Sequence, residues 1–200
     1  MPKPSIGIFG GAFNPIHLGH LAAAQEALLR YRLDRVFFVP AGISVWEKPD
    51  WLNAESRFRL VALALDDNPH FFACRIEIER PDPSYSVDTL RAFHHRFPQS
   101  PLFLLIGSDA FGEFPRWKEP QEILKLAELI VICRPGTRLT AAIRNLVTPR
   151  VHLLRYPGVA ISSKEIRARL ARGESIRYLV PDPVCEAILQ ETLYREEVSK

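Results

Sequence analysis

The sequence predicts an α/β fold, a doubly wound (Rossmann-like) parallel sheet of five to six strands with flanking helices and a C-terminal helical segment. Three observations lead to this prediction. Short, continuous apolar runs recur along the chain, as in strands that are buried on both faces. Segments rich in helix-forming residues separate these runs, which is the order of a chain built from βαβ units. Glycine and polar residues follow several of the runs, where open parallel sheets bind their ligands.

Length and composition set the limits of the prediction. Two hundred residues, 47% hydrophobic and 24% charged, suit a single domain over 1–200, of which 162–200 form a C-terminal helical part. The formal charge of +3, without a basic run, does not favour nucleic-acid binding. Three distant cysteines, no signal peptide and no membrane-length apolar segment predict a cytoplasmic protein with reduced thiols and no membrane contact. The sequence leaves open whether copies associate into a homo-oligomer.

The first strand and the turn after it form the most informative part of the chain. The apolar run 6–9 is typical of a buried parallel strand. Gly10 and Gly11 then allow a turn that other residues would resist, and they expose backbone N–H groups. Asn14 and Pro15 follow as a turn-to-helix signal that places the proline near the first helical position.

Two histidines stand at the start of the predicted helix. His17 and His20 are three positions apart, so both side chains lie on one face. A helix amino end that carries histidines after a glycine turn is suited to bind an anion. The alternatives are a plain tight turn with surface histidines, or half of a metal site, although no glutamate follows the first histidine and no third ligand is near. The glycines match neither the dehydrogenase fingerprint Gly-x-Gly-x-x-Gly nor a Walker loop.

The remaining elements follow from composition and periodicity. Capping residues and prolines bound the helices, and continuous apolar runs mark the buried strands. The segment 72–78 differs, because apolar and polar residues alternate there, which predicts an edge strand with one face in water. In chain order, the predictions are a helix at 21–33, a strand at 36–39, a helix at 53–65, a strand at 72–78, a helix from 84 to about 98, strands at 102–106, 129–132 and 151–154, and helices from 162 and over 183–195.

Several polar residues stand at positions where a ligand would meet the sheet. Asp109 follows the strand at 102–106, where it either binds a ligand or caps the next helix. Lys48 lies in the loop after the second strand and is either a solvated lysine or a phosphate ligand. Ser162 and Glu165 form a capping box, with Arg167 about a turn inside the helix. Capping alone explains this pattern, but hydroxyls, N–H groups and an arginine also make a phosphate clamp.

The segment 10–20, Gly-Gly-x-Phe-Asn-Pro-x-His-x-Gly-His, resembles the signature of the nucleotidylyltransferase superfamily. Other segments resemble the bacterial nicotinate mononucleotide adenylyltransferases within it, and the resemblance covers nearly the whole chain. The run Ser-Tyr-Ser-Val-Asp-Thr-Leu at 84–90 points most directly to this family. The other matching pieces are Lys48, 107–109, Trp117, 134–136 and 162–167.

The resemblance implies a reaction and a set of site residues. The chain would join nicotinate mononucleotide to ATP, giving deamido-NAD and pyrophosphate, a step of NAD biosynthesis. His17, His20 and Arg167 would be catalytic, with His20 stabilising the charge on the α-phosphate. The ATP-binding residues would be Gly10, Gly11, Ala12, Phe13, Gly19, Lys48, Gly107, Asp109, Arg134, Ile161, Ser162 and Ser163. The mononucleotide would contact Phe13, Ser86, Asp88 and Trp117. Mg²⁺ would accompany ATP on its phosphates, and no dedicated metal site is expected in the protein.

The match to the family has departures, and other functions stay open. Ala12 stands where the family usually has Ser or Thr, the loop before Lys48 lacks the usual Pro-Pro-His, and Asn14 replaces the commoner Asp. One alternative is another adenylyltransferase of the superfamily, which acts on phosphopantetheine. The other is a non-catalytic nucleotide sensor, although binding alone does not need both histidines and Arg167 together.

Overall fold

A computed structural model describes residues 3–43, 51–133 and 146–194 of the chain. Its centre is a six-stranded sheet in the order β3-β2-β1-β4-β5-β6, in which all neighbouring strands are parallel. The predicted doubly wound α/β fold is confirmed. The strands are β1 (Ile6–Gly11), β2 (Arg35–Pro40), β3 (Phe71–Ala73), β4 (Leu102–Gly107), β5 (Glu128–Cys133) and β6 (Val151–Arg155).

The strand order has a switch point between β1 and β4. From β1 the chain winds outward through β2 to β3, and from β4 it winds outward through β5 to β6. In open α/β sheets, ligands bind at the carboxyl ends of the strands beside such a switch point. The order therefore places the binding crevice beyond Gly11 and Gly107, the last residues of the two central strands.

Helices cover both faces of the sheet. Side chains alternate along β1, so Ile8 packs in the same layer as Leu90, whereas Phe9 packs in the opposite layer with Ala24. The helices are α1 (Leu18–Arg30), α2 (Ala54–Leu65), α3 (Ser86–Arg96), α4 (Ser108–Gly112), α5 (Pro120–Leu126), α6 (Ser163–Ala171) and α7 (Asp182–Gln190), with one 3₁₀ turn at Phe114–Arg116. In the described ranges, none of these helices is long and apolar enough to cross a membrane.

The helix after the first motif begins earlier than its composition indicates. We predicted 21–33, but α1 runs from Leu18 to Arg30, with His17 as its N-cap. The prediction that Pro15 lies near the first helical position is therefore wrong, because Pro15 belongs to a turn before the helix. The prediction that the two histidines stand at the start of this helix is confirmed, with His17 as the cap in place of a usual capping residue.

The predicted edge strand is present but short. β3 lies at the edge of the sheet, as predicted, yet it ends at Ala73 instead of Ile78. A turn replaces its second half, since the N–H groups of Ile78 and Glu79 bond to the carbonyl of Arg75 at 2.8 and 3.0 Å. The alternating pattern placed Glu77 on the water face, but the turn buries it.

The other predicted elements agree closely, with one exception at the C-terminal end. Asn53 caps α2 through the N–H of Ser56 at 2.8 Å, and Ser162 caps α6 through the N–H of Glu165 at 3.2 Å, as predicted. The last helix ends at Gln190 rather than at residue 195, and turns follow it to residue 194. The short helices α4 and α5 were not predicted as separate elements.

Candidate active site

Glycines at the ends of the two central strands leave the crevice open. Two cavities adjoin the carboxyl ends of these strands, and Gly10 near the end of β1 and Gly107 at the end of β4 each border both of them. A Cβ atom at either position would meet no other atom within 4 Å. Any side chain there would occupy space that a ligand needs. The structure thus gives both predicted glycines a place in one crevice.

His17 and His20 cap α1 for each other. Nδ1 of His17 accepts the N–H of His20, and Nδ1 of His20 accepts the N–H of His17, each at 3.3 Å. The two rings stack with centroids 3.6 Å apart. Because Nδ1 is an acceptor in both rings, the proton of each neutral imidazole lies on Nε2. Both histidines line a cavity, so the pair can present N–H donors to an anion there.

That cavity, the histidine cavity, has a volume of about 240 Å³ and lies beside the ends of β1, β4 and β5. Seven of the predicted site residues line it, and Asp109 lies in the first turn of α4 instead of capping that helix. Tyr156 was not predicted, and its hydroxyl donates to the carbonyl of Gly19 at 3.2 Å. The lining residues are Phe9, Gly10, His17, Gly19, His20, Ala23, Gly107, Asp109, Ala110, Ile132, Tyr156, Val159 and Ile161.

A second cavity, the tryptophan cavity, has a volume of about 310 Å³ and shares Gly10, Gly107 and Ala110 with the first. Trp117 and the amino end of α3 border it, as the predicted mononucleotide site requires. Its lining residues are Gly10, Gly11, Ala12, Ala41, Trp51, Glu77, Ser84, Tyr85, Ser86, Leu104, Ile106, Gly107, Ala110, Arg116, Trp117, Lys118 and Ile123.

The two sequence motifs meet although about 150 residues separate them. Ser163 at the start of α6 donates to the carbonyl of Pro15 at 2.9 Å, and Nη1 of Arg167 donates to the carbonyl of Asn14 at 2.8 Å. The amide oxygen of Asn14 in turn accepts the N–H of Leu52 at 3.1 Å and the hydroxyl of Tyr194 at 2.8 Å. Asn14 therefore joins four segments of the chain, whereas the sequence indicated only a turn before the helix.

Some predicted site residues do not line either cavity. Phe13 is only 2% exposed and packs edge-on against His20, with ring centroids 5.1 Å apart, so its side chain supports the histidine. Ser162, Ser163 and Arg167 lie next to the motif without lining a cavity. Lys48 and Arg134 lie outside the described residues.

Asp88 is also absent from the lining of both cavities, and its contact with the mononucleotide stays a prediction. Its carboxylate binds Nζ of Lys118 at 2.8 Å and Nη1 of Arg91 at 3.3 Å. Partial burial opposes ionisation of Asp88, but hydrogen bonds from Lys118 and Arg91 and the charges of Lys118 and Arg80 outweigh it and lower the pKa of Asp88. Asp88 was predicted from its place in the 84–90 motif, and in the first turn of α3 its carboxylate is directed towards Lys118, which lies just before α5.

Arg57 is a functional residue that the sequence analysis missed. It is completely buried and donates to the carbonyls of Ala12 at 2.7 Å, Ala41 at 2.6 Å and Leu52 at 3.0 Å. Ala12 and Ala41 both border the tryptophan cavity, so Arg57 holds its wall in place. A signal was present in the sequence, because positions 57, 60, 61, 64 and 65 form the apolar stripe of α2 and an arginine on that stripe is unusual.

Glu77 was missed as well, because the strand prediction placed it in water. It is 6% exposed and lines the tryptophan cavity. Burial raises the pKa of this carboxyl group, and hydrogen bonds from Thr89 and Ser84 offset only part of the rise. Within the described part of the chain, no three His, Cys, Asp or Glu side chains are grouped so as to hold a metal ion.

Comparison with known proteins identifies close relatives. The cytidylyltransferase-like family model matches residues 8–169. Proteins named probable nicotinate-nucleotide adenylyltransferase are similar to this chain: that of Leifsonia xyli is 41% identical over 193 residues, covering 96% of this chain and 95% of the relative. That of Thermus thermophilus is 44% identical over 190 residues, covering 95% and 99%.

Solved structures share the fold. The nicotinic acid mononucleotide adenylyltransferase of Plasmodium falciparum, complexed with NaAD, superposes with a TM-score of 0.80. It is 18% identical, and the match covers 96% of this chain and 98% of that chain. The same protein complexed with APC gives a TM-score of 0.78 over the same shares of both chains. At 18% sequence identity, this similarity shows a shared fold.

Proposed function

The chain belongs to the cytidylyltransferase-like family, and within it to the nicotinate-nucleotide adenylyltransferases, and from this premise we propose that it joins nicotinate mononucleotide to ATP. The products are deamido-NAD and pyrophosphate, in a step of NAD biosynthesis. The observation that carries the proposal is the pair of cavities that meet at Gly10, Gly107 and Ala110. A transfer between two nucleotides needs two adjoining sites, and the reacting phosphates then lie where the sites meet.

The histidine cavity is assigned to ATP. An oxygen of the mononucleotide phosphate attacks the α-phosphorus, a new P–O bond forms, and the bond from the α-phosphorus to the bridging oxygen breaks so that pyrophosphate leaves. The attacking phosphate is already ionised, so no protein base is required. The Nε2–H groups of His17 and His20 donate to the phosphate oxygens, and His20 stabilises the charge that develops on the α-phosphate.

The pyrophosphate end is assigned to the start of α6. Ser162, Ser163 and Arg167 stand beside the carbonyls of Asn14 and Pro15, so they adjoin the motif that carries the histidines. The amino end of α6 favours negative charge there. Lys48 and Arg134 are further proposed ligands of ATP, on the basis of the family resemblance alone.

The tryptophan cavity is assigned to the mononucleotide. The N–H groups at the amino end of α3, near Ser86, favour the nicotinate carboxylate, and Trp117 offers a flat face for the ring. Phe13 contributes indirectly by supporting His20. Asp88 acts through Lys118 rather than on the substrate.

We propose Mg²⁺ as the companion of ATP. Bound to the phosphates, it would offset their charge and draw electron density from the α-phosphorus. Mg²⁺ prefers oxygen ligands and is commonly bound through the phosphates of a nucleotide substrate, so ATP itself would supply most of its ligands. The three cysteines, Cys74, Cys133 and Cys185, are free thiols, which favours the cytoplasm as the setting.

The test is pyrophosphate release from purified full-length protein with Mg²⁺. We expect release only when ATP and nicotinate mononucleotide are both present, in equal amounts with deamido-NAD. Release with phosphopantetheine instead would identify the other adenylyltransferase. Binding of ATP without release, for any partner, would identify a nucleotide sensor.

A further inference from the structure

Glu77 is a buried carboxyl group beside the substrate site, and the proposed reaction assigns it no role. It lies in the turn after β3, is 6% exposed and lines the tryptophan cavity. Both proposed substrates are anions, so a carboxylate that touched them would repel them. Burying a carboxylate is also costly unless hydrogen bonds compensate it. The contacts of Glu77 must therefore compensate the cost of burying its carboxyl group.

Those contacts join segments that frame the cavity. Thr89 on α3 donates its hydroxyl to Oε1 of Glu77 at 2.6 Å, and the side chain of Ser84 also favours the ionised form of the same carboxyl group. The oxygen of Ser84 accepts the N–H of Gly42 at 3.0 Å, which extends the chain of hydrogen bonds to the loop after β2. Gly42 also lies directly on Glu77, since a Cβ at Gly42 would overlap the carbonyl oxygen of Glu77.

The charges of two guanidinium groups act on the same carboxyl group. The charges of Arg80, from the turn itself, and Arg57, from α2, both favour the ionised form against the effect of burial. Hydrogen bonds from hydroxyl groups to an ionised acceptor are shorter and stronger than those to a neutral one. An amide at position 77 would accept one hydroxyl hydrogen bond but would turn a donor towards the other.

We propose that Glu77 is a positioning residue for the mononucleotide. By holding Ser84 and Thr89, it fixes the amino end of α3, where Tyr85 and Ser86 line the tryptophan cavity. This inference rests on the proposed function, which assigns that cavity to nicotinate mononucleotide. Glu77 lines the tryptophan cavity and not the histidine cavity, so its effect should fall on one substrate.

The test compares Glu77→Gln with the unmodified enzyme in steady-state pyrophosphate release. We expect KM for nicotinate mononucleotide to rise about tenfold, as expected when one charge-assisted hydrogen bond is lost. KM for ATP should stay within about twofold and kcat within about threefold, because the histidine cavity is unchanged. Thr89→Val should act in the same direction, and Thr89→Ser, which keeps the hydroxyl, should restore most of the binding. The control is Glu79→Gln, which alters an exposed carboxylate in the same turn, paired with Arg75 at 3.4 Å.

Three outcomes overturn the inference. The first is a folded Glu77→Gln enzyme with an unchanged KM for the mononucleotide. The second is an equal rise in both KM values, which would mean general loosening. The third applies if Glu77→Gln does not fold: Thr89→Val then decides, and an unchanged KM for the mononucleotide in that variant rejects the role. If the unmodified enzyme itself releases no pyrophosphate with nicotinate mononucleotide and ATP, the proposed function fails instead.

Discussion

At the scale of single residues, the two histidines combine a structural and a chemical task. Their Nδ1 atoms cap α1, which directs the protonated Nε2 atoms away from the helix backbone. We expect His20→Ala to lower kcat by at least ~10²-fold, the scale seen when one preorganised donor to a developing oxyanion is removed. Loss of its capping hydrogen bond should reduce the free energy of unfolding by only about 1 kcal/mol.

Pyrophosphate release and urea unfolding, measured together, separate these two effects of His20→Ala. His95→Ala is the matched control, because His95 is exposed in the last turn of α3 and should leave kcat unchanged. A His20→Ala enzyme with nearly normal kcat would reject the catalytic role.

Arg57 is expected to contribute strongly to the stability of the protein around the tryptophan cavity. We expect Arg57→Met to lower the free energy of unfolding by about 3–5 kcal/mol, because the partly buried carbonyls of Ala12, Ala41 and Leu52 lose a charged donor. Urea denaturation measures this change. Arg59→Met is the control: Arg59 pairs with Glu191 on the surface, and its loss should cost less than about 1 kcal/mol. Equal effects of the two substitutions would contradict a special role for Arg57.

The raised pKa of Glu77 predicts that the difference in stability between the wild type and Glu77→Gln depends on pH. Burial raises the pKa of Glu77 in the folded protein above its unfolded value, so between these two values the folded state binds more protons. The stability of the wild type, relative to Glu77→Gln, should therefore fall as pH rises through this window and then level off. Tm values of both proteins from about pH 4 to about pH 8 measure the difference, in which the other titrations cancel. A difference that grows in favour of the wild type would contradict the shift.

At the scale of elements, four charges tie α3 to the segment that carries Trp117. Lys118 binds Asp88 at 2.8 Å, and Glu119 binds Arg91 at 2.5 and 3.2 Å, so these pairs hold one wall of the tryptophan cavity to the side of α3. The ammonium group of Lys118 also lies over the ring of Tyr85, 4.7 Å from its centroid. The wall that would contact the nicotinate ring thus depends on ion pairs that are partly exposed to solvent.

Breaking this connection should weaken mononucleotide binding. We expect Asp88→Asn to raise KM for nicotinate mononucleotide about three- to tenfold at low salt, with little change for ATP. The difference from the wild type should shrink at about 0.5 M salt, because screening already weakens the exposed pairs there. Glu122→Gln, which removes the exposed pair with Lys125 at 3.2 Å on α5, is the control. A difference that does not depend on salt would point to a packing effect instead.

At the scale of the whole molecule, the charges around the tryptophan cavity predict which base is preferred. The amino end of α3 and the cations of Arg116 and Lys118 favour a carboxylate, whereas an amide brings N–H groups that need acceptors. Glu77 is the one carboxyl group among the described lining residues, and its hydrogen bonds are directed to Thr89 and Ser84.

We therefore expect kcat/KM to be ~10²-fold or more higher for nicotinate mononucleotide than for nicotinamide mononucleotide. The measurement is a side-by-side comparison of both mononucleotides at saturating ATP and Mg²⁺. Equal rates, or a preference for the amide, would reject this assignment of the cavity.

The fold and the principal motif could be predicted from the sequence because their signals are local. Continuous apolar runs mark the parallel strands, and the segment 10–20 carries its glycines and histidines over a short stretch from the end of β1 to the first turn of α1. The strand prediction for 72–78 was wrong in its second half, because the alternating pattern contains no information about the segments packed against it. β3 ends at Ala73, and a turn follows.

The sequence by itself determined the α/β class, the parallel strands, the histidine motif and the family. Only the tertiary structure decided which side chains line the two cavities and which hold the surrounding segments in place. It buried Arg57 and Glu77, turned Asp88 towards Lys118, and brought Arg167 to the carbonyl of Asn14. The physical reason is that burial and hydrogen-bond partners depend on segments far apart in the chain, and no local pattern specifies where such segments meet.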